Sequence, residues 1–151
     1  MAFQFSLQAV LVFRQSVERQ EELRLLAANQ QVIRLRRLIE QLTDRMISIQ
    51  SREAAHLTSG ITAAEMHFHQ ACQSALEQQR QIVVTELQKV EKLRDQQRAI
   101  HQRARRERET LELLRDRDFR EYHRLAIRKE QRRTDDLFLL RQTFRSSRTG
   151  R

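Results

Sequence analysis

Glu65, His69 and Cys72 stand four and three residues apart, which on a helix places a carboxylate, an imidazole and a thiol on one face, a donor set that suits zinc. The same spacing has a plainer reading. Glu65 is the third residue after Thr62, as in a capping box, and His69 and Cys72 fall in or beside a helix seam. No second shell accompanies them, and His67 points away from their face, so no metal is expected. The chain has no Gly-rich phosphate loop, no HExxH and no nucleophile beside a base on a strained turn. Neither a catalytic residue nor a cofactor is therefore expected.

Arginine offers a second chemistry. Arg103, Arg105, Arg106 and Arg108, then Arg115, Arg117, Arg120, Arg124, Arg128, Lys129, Arg132 and Arg133, could track phosphates along a helix. They are interleaved with Glu107, Glu109, Glu112, Asp116, Asp118 and Glu121, which would face the same phosphates and are spaced for pairs within the helix. No nucleic acid is expected as a partner, and a nucleic-acid-binding helical hairpin stays as the alternative reading.

The elements that carry these residues follow from composition. In 151 residues there is no Pro, no Trp and only two Gly, while 39% are apolar and 32% charged. So little turn chemistry excludes sheets and compact bundles and leaves long helices. Cys72, the one cysteine, excludes an internal disulfide and suits a reducing cytosolic compartment. Met1 to Gln8 has no basic region and reads as neither signal peptide nor membrane span. Any membrane association is expected through protein partners.

From Leu25, the apolar residues Ala28, Val32, Leu35, Ile39, Leu42, Met46 and Ile49 follow at alternating spacings of three and four, which is a coiled-coil seam. Stepping back from Leu25 meets Glu21, Glu18 and Arg14, so a change of face or partner is expected near residue 20. Gly60 can close a helix in the left-handed conformation, and Thr62 with Glu65 can open the next. The expectation is an all-α chain: one coiled-coil domain over 1–151, a long antiparallel two-helix hairpin whose second helix is longer than the first. Helix one covers about 6–59, the turn 59–62 and helix two about 62–145, with a disordered tail over 146–151.

At ~1.5 Å per residue the second helix would reach roughly 125 Å and the first about 80 Å. Symmetric pairing about Gly60 brings Ile49 near Cys72, Leu35 near Leu87 and Leu7 near Leu114. Everything from about Arg115 would overhang, and its apolar side chains, among them Leu137, Leu140 and Phe144, would need another surface. His69, Gln73 and Arg80 take seam positions on helix two, Arg80 laying its stem along the seam with its head in water. Residues 1–100 carry 13 basic and 11 acidic side chains, against 16 and 9 in 101–151. The basic character belongs to the overhang.

The N-terminal pattern Phe3-x-Phe5-x-Leu7-Gln8-x-Val10-Leu11-x-x-Arg14, with Glu18, Glu21, Glu22 and Leu26-Ala27 after it, resembles the FliJ family of flagellar type III export proteins. The Gly60-Ile61 reversal before a Gln-rich helix and the late acidic cluster from Glu130 to Asp136 are similar to the family too. The resemblance implies a non-enzymatic central stalk in the pore of the hexameric flagellar export ATPase, promoting ring assembly and turnover. It also implies coupling to the cytoplasmic part of the export-gate membrane protein, binding of export chaperones, and a cytoplasmic location peripheral to the inner membrane. The stalk protein of virulence type III secretion is the near alternative.

What the resemblance implies about sites falls on two groups. Contact with the ATPase ring would use Phe3, Phe5, Leu7, Leu11, Arg14, Phe119, Tyr122 and Leu125. Contact with the export gate would use Leu38, Leu42, Arg45, Ile49, Cys72, Leu76, Gln79 and Val83. Of these, Leu42 and Leu76 keep the residue type of the family, whereas Arg45, Ile49 and Cys72 stand where aromatics are expected. Leu42 and Ile49 also lie in the seam, where the residues alone read as core.

Overall fold

The computed structural model describes residues 3–148, apart from the side chains at 57, 59 and 144–148. Phe144 and the tail expected over 146–151 lie outside the side chains so described. Two helices, α1 (Gln8–Ser59) and α2 (Ala63–Arg148), pack against each other, the second longer than the first. The chain divides into two compact units, Glu18–Ala104 and Met1–Val17 with Arg105–Arg151.

In the unit Glu18–Ala104 the reversal is built as the residues dictate. Gly60 has φ +91°, a conformation that costs a residue with a Cβ. The Thr62 amide donates to Glu65 Oε2 at 2.9 Å, and the Glu65 amide donates to Thr62 Oγ1 at 3.3 Å. The Thr62 hydroxyl adds a 2.7 Å bond to the same carboxylate. These bonds satisfy backbone donors that the first turn of a helix leaves without partners.

The bonds from Thr62 hold the Glu65 carboxyl below its ordinary value, against the opposing effect of desolvation. A carboxyl depressed in the folded state contributes stability above its unfolded pKa, and loses it as pH falls through the folded pKa. The start of α2 should therefore begin to fray only as pH drops below the ordinary glutamate range. Amide exchange at Glu65 and Met66 across an acid titration checks this: protection in the wild type should fall below that range, and Glu65→Ala should abolish the pH dependence.

Along α1 in this unit, Glu18, Glu21, Leu25, Ala28, Val32, Leu35, Ile39, Leu42, Met46, Ile49 and Glu53 lose exposure at spacings of three and four. The register therefore does not break at Glu18 and Glu21, contrary to the expected change of face near residue 20. Glu21 is 8% exposed and stays in the seam because Gln97 of α2 donates to its carboxylate and Arg24 bonds it at 2.6 Å. A buried carboxylate with two donors has partners for what it loses in hydration.

The facing row on α2 is more polar than the apolar pattern alone suggests. His69, Gln73, Leu76, Arg80, Val83, Leu87, Val90, Arg94, Gln97, His101 and Ala104 lose exposure, again at alternating fours and threes. Polar contacts cross between the helices where apolar pairs would otherwise stand. Gln73 donates to Glu53 at 3.1 Å and Arg36 to Glu91 at 2.7 Å. Arg80 lies half-buried and sends its guanidinium to Glu77 through two 3.0 Å bonds rather than out to water alone.

The unit Met1–Val17 with Arg105–Arg151 holds the start of the chain against α2. Residues 3–5 are not helical, and α1 begins after them, with the Gln8 amide donating to Phe5 O. Phe5 and Leu11 are buried, and Arg14 donates to Glu107 at 2.6 Å. Phe3 reaches the ring of Phe119 edge-on at 5.3 Å and that of Tyr122 at 5.6 Å. Symmetric helical pairing leaves everything beyond Arg115 uncovered, but Phe3 reaches past that point to Phe119 and Tyr122. The uncovered stretch therefore starts later, and residues 123–143 are exposed throughout.

Candidate functional site

Two places gather the residues singled out in the sequence. The first is a groove in the unit Glu18–Ala104, about 670 Å³ in volume and open to solvent. Asp44, Arg45, Ser48, Ile49 and Arg52 line it from α1, and Cys72, Ala75 and Leu76 from α2. Its floor is apolar because Ile49 and Leu76 are half-buried seam residues with half-buried Cys72 beside them, and it stays open where the side chains of Cys72 and Ala75 are small. Its rim carries two guanidiniums and one carboxylate. Such a floor and rim suit an apolar side chain anchored by flanking charge.

The eight residues implied for the gate divide on this geometry. Arg45, Ile49, Cys72 and Leu76 come together in the groove. Leu42 is 1% exposed and Val83 is also buried, so both hold the helices together. Leu38 and Gln79 are exposed outside the groove lining. Asp44, Ser48, Arg52 and Ala75 were not singled out. Their signal was spacing: Ser48, Arg52 and Ala75 each stand one residue before a seam-row position, Ile49, Glu53 and Leu76, and Asp44 stands four before Ser48, which puts them on the flank of the same face.

The second place is the exposed arm of α2 and the residues at its base. Phe5 and Leu11 are buried there, Phe3 and Tyr122 half-buried, and Arg14 is engaged with Glu107. Leu7 is 37% exposed and Phe119 49%, whereas Leu125 at 64% lies open. Of the eight residues implied for the ATPase ring, the N-terminal aromatics thus serve first as packing for α2, and Leu125 offers the most open apolar surface. Further along stand Leu137, Phe138, Leu139 and Leu140, each more than half exposed.

Four of the arginines singled out on α2 pair within the helix. Arg105 bonds Glu109 at 2.8 Å and Arg108 bonds Glu112, while Arg115 and Arg117 pair with Asp116 and Asp118. The bond from Arg105, with the nearby positive charge, holds the Glu109 carboxyl below its ordinary value. Of Glu65, His69 and Cys72, Glu65 caps α2, His69 lies with its ring 6.1 Å from that of His56, and Cys72 lines the groove. Among the described residues no three His, Cys, Asp or Glu side chains could hold a metal ion, and no helix is long and apolar enough to cross a membrane.

The described residues thus form two packed helices with a half-polar seam and an open groove in one unit, and an exposed basic arm in the other. A family model described as Flagellar FliJ protein matches residues 3–148, and the chain belongs to that family. Membership makes it a component of the flagellar export apparatus. Comparison with curated proteins and with solved structures found no match.

Proposed function

We propose that this protein is the non-catalytic central stalk and coupling subunit of flagellar protein export. Its arm enters the export ATPase ring and promotes ring assembly and turnover, and its groove meets the cytoplasmic part of the export-gate membrane protein. Export chaperones are further partners, and the protein works at the cytoplasmic face of the inner membrane without spanning it. The observation that carries this reading is the family match over nearly the whole chain. The exposed, apolar and basic arm supports it, because such a surface needs a partner to cover it.

The test is ATP turnover and ring formation by the export ATPase of the same organism, with and without the full chain, at two salt concentrations. Stimulation that persists at the higher salt is expected, since apolar insertion is screened little. Absence of stimulation, alongside nucleic-acid binding that falls log-linearly with salt, would replace this reading with the phosphate-binding one.

A further inference from the structure

The exposed arm has a symmetry in its chemistry that neither the seam nor the stalk reading uses. Counting outward from Arg132, basic Arg128 and Lys129 on one side mirror acidic Asp136 and Asp135 on the other, and beyond them Leu125 mirrors Leu139. Leu125, Lys129, Arg132, Asp136 and Leu139 follow at spacings of four, three, four and three, so they share one helix face. All are exposed. In contrast to the paired arginines at 105, 108, 115 and 117, Arg128, Lys129, Asp135 and Asp136 form no ion pair among the described residues.

We propose that this face binds a second copy of the chain, arm to arm and antiparallel, about a two-fold axis at Arg132. In that arrangement leucine meets leucine at both ends, and each basic pair meets the partner's acidic pair. A parallel arrangement would stack arginine on arginine and aspartate on aspartate, so the charge order selects the antiparallel one. Arg132 on the axis is a polar seam residue that fixes register at some cost in stability. A self-complementary patch of this kind is what a two-fold dimer requires.

The experiment is sedimentation equilibrium of the full chain from low micromolar to ~100 μM, a range that reports Kd values of that order. The wild type is expected to move from the mass of one chain toward that of two, less so at high salt. Two double variants, R128D/K129D and D135K/D136K, should each dimerise at least about tenfold more weakly, since every crossing pair becomes repulsive. Mixed in equal amounts they should recover a heterodimer, because each then meets opposite charge. These positions are exposed, so circular dichroism should show unchanged helix content. A wild type monomeric throughout, double variants that dimerise as well as wild type, or a mixture that stays monomeric would each overturn the proposal.

Discussion

Leu42→Ala is expected to lower stability by about 2–4 kcal/mol, the range for removing a buried leucine from a packed site. In a chain of this size that shifts the thermal midpoint by about 10 °C. Leu42 is 1% exposed, so its truncation leaves a cavity between the helices that α1 and α2 cannot close without shifting. Leu38, one turn away on the same helix, is 36% exposed and should change stability by no more than about 0.5 kcal/mol when replaced by alanine. Thermal unfolding by circular dichroism compares the two directly. The pair also separates packing from docking. A loss of gate binding by Leu42→Ala that tracks unfolding belongs to packing, whereas a loss by Cys72→Arg at unchanged midpoint belongs to the groove.

The second large effect concerns the arm. A chain ending at Arg124 keeps Phe119 and Tyr122, and with them the ring contacts of Phe3. It should unfold at nearly the wild-type midpoint, because the residues removed up to 143 are exposed. If the arm enters the ATPase ring, the same truncation should reduce stimulation of turnover by at least about tenfold, as loss of an anchoring surface does. Full stimulation by the shortened chain would take the arm out of the proposed stalk role. Cutting at Arg115 instead would confuse the result, since it strips the aromatic partners from Phe3 and loosens the N-terminal segment as well as removing the arm.

Much of this architecture could be read from residue types. The turn was legible because Gly60, Thr62 and Glu65 each have few alternative uses, and their bonds are local. The seam of α1 was legible where it is apolar, from Leu25 to Ile49. It became invisible at Glu21, Glu18 and Arg14, because a search for apolar periodicity cannot anticipate that Gln97 arrives from the other helix to bond Glu21 and Glu107 to bond Arg14. The row on α2 was legible from His69 to Val90, its histidine, glutamine and arginine included, but not beyond, where Arg94, Gln97 and His101 stand at positions where the pattern asks for leucine. Residues 3–5 lay outside the expected helix, but their anchoring was not legible, because the rings of Phe119 and Tyr122 that receive Phe3 come from the far end of the sequence. The groove depended on what is small rather than what is present: Cys72 and Ala75 leave the space, and neither announces it.

The cross-helix polar bonds bear on how the molecule answers a pull. A tight reversal at Gly60 prevents one helix from slipping past the other close to the turn, but its restraint weakens with distance along a slender pair of rods. Gln97 with Glu21, and Arg36 with Glu91, stand far from that turn and cross the seam sideways. Smooth apolar ridges resist separation well and sliding poorly, whereas directed bonds between charged and polar groups resist sliding over a short distance and then release. They work as teeth against shear, spaced along the length where the turn no longer grips.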